Sequence, residues 1–324
     1  MEIAVLILSI LLIILGVLFI VSRLVYRRSI MATLVEWFLK LTEKRYTYAQ
    51  FCDFLSSGKG NERIKIPFCR QSITKNNIKE TSYDGMQVFS FNTDRQGRDA
   101  AIIYLHGGAY VRKPRVWHFR FVKRLAKKTG LDVIMPIYPK APEYDCDCVS
   151  KLLINFYTDL SKSYGRIILM GDSSGGGLAL SISLQLIKRQ IRQPERLILL
   201  SPWPDVSMSN PAIADYERKD PIVFVDNVKI AGEKWAGSKS VTDPTVSPLY
   251  ASFNHLNPVD VFCGTREVLY PDNEQLCKCM RRDGVEVKFH VAEGMNHVYP
   301  IFPICEARRA FADIVDIINN SVGK

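Results

Sequence analysis

At 324 residues, with 47% hydrophobic and 23% charged residues, the chain can bury a sizeable core, which excludes a disordered polymer. Forty-three Lys+Arg against 33 Asp+Glu leave a net charge of +10, which excludes an acidic solvating protein and permits contact with anionic surfaces without requiring nucleic acid. Eight cysteines are too few for a disulfide-stapled miniprotein, and no repeat of about 20–50 residues points to a solenoid or propeller.

Residues Ile3 to Ser22 carry no charge. At about 1.5 Å per residue a helix of this length crosses a hydrocarbon core of about 30 Å. Glu2 precedes the run, and Arg23, Arg27 and Arg28 follow it, so an uncleaved single-pass anchor is expected rather than a cleaved signal peptide. The arginine flank places the rest of the chain on the cytoplasmic side, in which case the cysteines are free thiols; the opposite topology would let some of them pair.

Ile30 to Leu41 predicts an amphipathic helix, with further helix through Phe54 and a Gly/Ser-bearing joint at Ser56–Asn61. From Glu80 the pattern changes to short apolar strands alternating with helices. Strands are predicted at Met86–Phe91, Ala100–Leu105, Asp132–Pro136, Arg166–Met170, Arg196–Ser201, Val259–Cys263 and Val285–Val291. Helices are predicted at Trp117–Lys128, Cys148–Ser163, Gly176–Arg189, Asp272–Asp283 and Cys305–Ser321. This alternation argues for an α/β fold, a mostly parallel sheet covered by helices on both faces.

Two motifs carry chemistry. Arg166–Met170 leads directly into Gly171-Asp172-Ser173-Ser174-Gly175, a Gly-x-Ser-x-Gly placed between a strand and a helix. A sharp turn there exposes one hydroxyl, and the glycines leave room for the strained backbone. After another strand comes His106-Gly107-Gly108-Ala109. Adjacent glycines let backbone N–H groups approach an oxygen that becomes negative during acyl transfer, and the amides of Gly107, Gly108 and Ser174 are the expected oxyanion hole.

With these motifs at this spacing, the chain resembles the hormone-sensitive-lipase branch of the α/β-hydrolases, including the arylacetamide-deacetylase-like and sterol-acetate-deacetylating membrane esterases. Tyr138-Pro139-Lys140-Ala141-Pro142-Glu143, Ser201-Pro202-Trp203 and Asp243-Pro244-Thr245-Val246-Ser247-Pro248-Leu249-Tyr250 are similar to further blocks of that branch, over roughly residues 80–310. Ser174 stands where the branch usually has alanine, and Ala109 where many members have a third glycine.

A serine hydroxyl needs a base, and the base needs an orienting acid. The resemblance implies the order Ser…acid…His. His297, in Gly294-Met295-Asn296-His297, matches the branch's Gly-Met-x-His and is the expected base. Glu267 stands three residues after Gly264, where the branch usually carries aspartate, and is the expected acid; Asp272 is the alternative, with a helix N-cap as its other reading. His106 belongs to the oxyanion loop, His118 opens a basic helix, His255 precedes a strand, and His290 lies within one with a packed or solvated role.

The sequence is therefore expected to divide into an anchor at 1–28, a helical cap segment at 29–79, and a catalytic domain at 80–324 with a cap insertion at 205–239 holding Tyr216, Val223, Phe224 and Trp235. The resemblance implies a serine ester hydrolase acting on small hydrophobic esters, of short-acyl, acetyl type with a hydrophobic alcohol, with no cofactor, no metal and no nucleic acid. An amidase or peptidase with the same triad, or a non-catalytic binder on the same fold, are the alternatives. Cys146/Cys148 and Cys277/Cys279 lack the spacing of structural zinc ligands and are expected as ordinary thiols. Eight basic residues and no acid between Arg112 and Lys128 suit either anionic lipid headgroups or a solvated helix face.

Overall fold

The computed structural model describes residues 2–65, 78–92 and 99–323. Helix α1 (Glu2–Ile20) runs into a π-helical turn, Val21–Val25. The stretch Val5–Val25 is long and apolar enough to cross a membrane. Then follow α2 (Ile30–Thr42), α3 (Tyr48–Ser56), β1 (Ile78–Tyr83), β2 (Met86–Phe91), β3 (Ala100–Leu105), α4 (Val116–Thr129), β4 (Asp132–Ile137), α5 (Cys146–Ser163), β5 (Arg166–Asp172), α6 (Ser174–Lys188), β6 (Arg196–Leu200), α7 (Val225–Ala236), β7 (Val259–Gly264), α8 (Tyr270–Arg282), β8 (Val287–Ala292) and α9 (Cys305–Ser321).

The strands form one sheet in the order β1-β2-β4-β3-β5-β6-β7-β8. β2 pairs antiparallel with β1 and β4, and every other pairing is parallel. Side chains alternate across a strand, so Ile103 and Leu105 enter one core with Leu169, Leu199 and Val261, while Ile102 and Tyr104 enter the other with Ile168, Ile198 and Phe262. The first core is closed by α5, α6 and α8, the second by α4 and α9. Burial on both faces is why β3, β5 and β6 read as continuous apolar runs.

Two elements depart from the sequence expectation. Strand β1 was not anticipated: it is an edge strand with a mostly exposed burial pattern and so no apolar alternation. The signal that could have found it is Asp84-Gly85, both at positive φ (46° and 78°), a two-residue hairpin turn. The helix expected to run to Phe54 breaks at 43–47, where Thr47 caps α3 by accepting from the Gln50 N–H (3.3 Å) while Gln50 accepts from the Thr47 N–H (3.1 Å). The part of the 29–79 segment at 66–77 lies outside the described residues.

Candidate active site

The residues singled out in the sequence sit beyond the C-terminal ends of parallel strands, where such sheets place their ligand crevices: the Gly107 loop after β3, Ser173 after β5, Glu267 after β7 and His297 after β8. Ser173 has φ 51° and ψ −123°, a strained conformation for a side-chain-bearing residue, maintained by its N–H donating to the Leu200 carbonyl (2.9 Å) and by the start of α6. A Cβ on Gly171 would fall on the Gly175 backbone, and one on Gly175 on the Leu105 carbonyl; that closeness is why glycine flanks the turn.

Ser173 Oγ and His297 Nε2 lie 2.9 Å apart. His297 Nδ1 is 3.6 Å from Glu267 Oε2, longer than a hydrogen bond, and has no other partner among the described residues. The Glu267 carboxylate is fully buried; it accepts from Ser201 Oγ (2.7 Å) and Cys263 Sγ (3.0 Å). Ser201 Oγ in turn accepts from the Val298 N–H (3.0 Å), tying the loop of His297 to the acid. Asp272, the alternative acid, instead accepts from Asn210 Nδ2 (2.8 Å), and it lies inside α8 rather than capping it.

Burial pushes the His297 imidazole down, but the Glu267 carboxylate, with Asp220 and Asp172 beyond it, draws it above its ordinary value. Asp220 went unnoticed in the sequence. Its carboxylate accepts from the amides of Ile222, Val223 and Val268, and burial raises it to about 6 against those bonds and the pull of His297. The signal available was Asp220-Pro221, a turn-initiating pair.

The oxyanion loop requires one correction. The Gly107 N–H donates to Asp172 Oδ1 (3.0 Å) and is spent. Among the described residues the amides of Gly108, Ala109 and Ser174 have no acceptor, and Gly108 and Ala109 line the cavity above Ser173. Gly108 has φ 136°, and a Cβ there would come within 2.6 Å of the Arg112 carbonyl oxygen. The loop's other side is pinned by Tyr138, whose hydroxyl donates to the His106 carbonyl (2.7 Å) and whose ring stacks on His106 at 4.7 Å.

His118, expected only to open a basic helix, is buried against the turn at Ser173. The Arg115 N–H donates to its Nδ1 (2.9 Å), so the ring proton sits on Nε2, which donates to Asp172 Oδ2 (3.1 Å). Tyr104 Oη donates to Asp172 Oδ1 (2.7 Å). Burial works against an ionised Asp172, yet His118, Tyr104 and the Gly107 amide hold it below the usual carboxylate range. The basic stretch around His118 is largely engaged: Arg115 bonds Glu43, Lys113 pairs with Glu62 (2.9 Å), and Arg124 lies over the Phe311 ring (3.8 Å).

A cavity of about 130 Å³ opens above Ser173, with Leu39 and Phe51 from the 29–60 stretch and Val223, Phe224 and Trp203 in its walls. The 29–60 stretch and the β6–β7 connection bind each other: the Tyr46 N–H donates to Asn227 Oδ1 (3.2 Å), Asn227 Nδ2 donates to the Tyr46 carbonyl (3.0 Å), and Arg45 pairs with Asp226 (2.8 Å). Of the four aromatic and apolar residues expected near the site, Val223 and Phe224 line the cavity. Trp235 is buried and stacks on Tyr110 at 4.0 Å, while Tyr216 stacks on Tyr270 instead. Among the described residues no group of three or more His, Cys, Asp or Glu is placed to hold a metal ion.

Residues 102–301 match the family described as having the α/β hydrolase fold. The chain is 30% identical over 222 residues to an esterase of Acinetobacter venetianus, spanning 66% of this chain and 73% of the relative. It is 26% identical over 216 residues to an acetyl-hydrolase of Streptomyces hygroscopicus, spanning 64% and 72%. Among solved structures, an esterase-assigned protein of Staphylococcus aureus superposes with a TM-score of 0.79 at 31% identity, covering 85% of this chain and 94% of that one. A hormone-sensitive lipase from a metagenome library shares the fold with a TM-score of 0.76 at 23% identity, covering 90% and 98%.

Proposed function

We propose that this chain, which belongs to the α/β-hydrolase family and is a carboxylic-ester hydrolase, cleaves its ester through an acyl-enzyme on Ser173. The observation that carries the reading is the 2.9 Å contact between Ser173 Oγ and His297 Nε2 on the floor of an apolar cavity. His297 takes the Ser173 proton as the hydroxyl attacks the acyl carbon, then returns it to the departing alkoxide. Nε2 can accept only if the neutral ring carries its proton on Nδ1, facing Glu267, and the 3.6 Å separation tightens to a charge-assisted hydrogen bond as the ring becomes an imidazolium. The amides of Gly108, Ala109 and Ser174 receive the oxyanion. Water activated by the same histidine then releases the acid.

Helices α2, α3 and α7 and their connections act as a cap over Ser173. The cavity directly above Ser173 is small, about 130 Å³, which supports a short acyl group. Its apolar walls suit a hydrophobic alcohol such as a lipid or sterol. Val5–Val25 serves as the membrane anchor, and its arginine flank puts the cap and sheet on the cytoplasmic side.

The test is a p-nitrophenyl ester series from acetate to dodecanoate with full-length protein in detergent, beside Ser173→Ala. Removing the anchor at residue 29 would delete Arg28, whose buried side chain is bonded to Gly294 and Glu36, so the whole chain is used. Activity confined to the parent and greatest for acetate to butyrate supports the reading. Equal rates in Ser173→Ala would refute the acyl-enzyme, and equal turnover of a matched anilide would favour an amidase.

A further inference from the structure

Helix α2 has a buried side of mixed polarity and an exposed side that is apolar. Its inner side buries Ala32, Thr33, Glu36 and Leu39, and Leu39 reaches the cavity above Ser173. Its outer side carries Met31, Leu34, Trp37, Phe38 and Leu41, all 41–86% exposed. Steps of three and four residues place them on one stripe. A surface helix ordinarily turns charged residues to water there, and a continuous apolar strip of this kind marks a surface that is covered in use.

We infer that this stripe is a bilayer-binding surface, seated in the leaflet where the N-terminal span ends, so that α2 is the wall between lipid and the hydrolytic cavity. The inference rests on the reading of Val5–Val25 as a membrane span. Only Tyr26–Ser29 separate the π-helical turn from α2, and four residues reach no further than about 14 Å, a distance comparable with the headgroup layer. That joint cannot swing away. The Arg28 N–H donates to the Ser22 carbonyl (2.9 Å), and its buried guanidinium donates to the Gly294 carbonyl (3.1 Å), Thr33 Oγ1 (3.1 Å) and Glu36. Ser29 gives both its N–H (2.6 Å) and its hydroxyl (2.8 Å) to Glu306.

The chemistry of the surroundings selects lipid over a soluble partner. Arg23 before the stripe and Lys44 after it are exposed where anionic headgroups would meet them, while Arg27 pairs with Glu293 (3.3 Å) and Lys40 with Glu36 (2.8 Å); Trp37 is the residue type that settles at a bilayer interface. A helix with an apolar face flanked by such cations lies about 5–10 Å into the headgroup–acyl boundary. An ester dissolved in the leaflet then has a short path over α2 into the cavity.

The experiment uses the full chain in phosphatidylcholine–phosphatidylglycerol nanodiscs, with and without lipids brominated high on the acyl chain, and compares the parent with Trp37→Phe. The Trp37 component of the fluorescence is expected to be quenched by the brominated lipid and shielded from aqueous iodide. Quenching by iodide and not by brominated lipid, in protein that stays with the discs, would overturn the surface while leaving the anchor intact. Protection from both quenchers would mean a second copy or another protein covers the stripe, which also overturns it. Protein that does not co-fractionate with the discs would overturn anchor and surface together. A Trp37→Glu, Phe38→Glu pair gives the second readout. KM for an ester dissolved in the disc is expected to rise about tenfold, equivalent to about 1.4 kcal/mol, with water-soluble p-nitrophenyl acetate unchanged; no difference between the two substrates would refute delivery across α2.

Discussion

Asp172→Asn probes the link between the Gly107 loop and the turn at Ser173. The Asp172 carboxylate accepts three hydrogen bonds: from Tyr104 Oη and the Gly107 N–H at one oxygen, and from His118 Nε2 at the other. A carboxamide has one acceptor oxygen and one NH2 group. With its oxygen facing Gly107, the NH2 opposes the His118 Nε2–H; turned over, it opposes the Gly107 N–H. Moving the His118 proton to Nδ1 would only set it against the Arg115 N–H, 2.9 Å away. Every arrangement strands a buried donor. Losing one bond to an ionised acceptor and stranding its donor costs about 3 kcal/mol, which lowers Tm by about 5–10 °C. Because Gly108 follows the displaced Gly107 and is shifted rather than removed, kcat on p-nitrophenyl acetate should fall about 10- to 100-fold, less than the roughly 10²–10³-fold loss for complete removal of one oxyanion donor. An Asp172→Asn, His118→Gln double variant restores a matched donor and acceptor and should recover part of both losses. Asp172→Asn with kcat within twofold of the parent and an unchanged Tm would refute the reasoning.

Glu267→Gln should reduce kcat by about 10²–10⁴, the range set by an unoriented base. Because Glu267 holds His297 above its ordinary value and the base must be neutral to accept the Ser173 proton, the acid limb of kcat/KM in the variant should also move to lower pH; a limb that stays put would show that Glu267 does not act on His297. Gly108→Ala forces a side chain into φ 136° and within 2.6 Å of the Arg112 carbonyl, so activity should fall to a few per cent while far-UV circular dichroism is retained; near-parental turnover would show that the loop adapts. Burial raises Asp272 to about 7 from 3.8, so the folded state binds the extra proton and stability contributed by this group is lost as pH rises from about 4 to 7. Urea unfolding of Asp272→Asn and parent at pH 5 and pH 8 should therefore show the variant gaining a few kcal/mol relative to the parent at the higher pH, and a pH-independent difference would refute the shift.

Much of the site was legible because it depends on local requirements. A strand-to-helix turn with a left-handed serine needs glycine on both sides, so Gly171-Asp172-Ser173-Ser174-Gly175 announces itself. A strand buried on both faces reads as an apolar run, and the bounds of β3, Ala100–Leu105, are legible for that reason. The order of Ser173, Glu267 and His297 along the chain follows from each lying after its own strand.

What sequence alone could not settle were the partners of hydrogen bonds between distant segments. Gly107 looked like an oxyanion donor until the register of β3 on β5 brought Asp172 beneath its N–H. His118 stands 54 positions from Asp172, and only the packing of α4 against the sheet joins them. Asp220 carried no sequence signal beyond a turn and Arg28 read as part of the basic flank of the apolar span, yet both are buried, and the Arg28 guanidinium is bonded to Gly294 and Thr33. Backbone geometry and apolar periodicity are written residue by residue. Which polar atom satisfies which depends on where the chain returns, so the pairing of those atoms was decided by the tertiary structure.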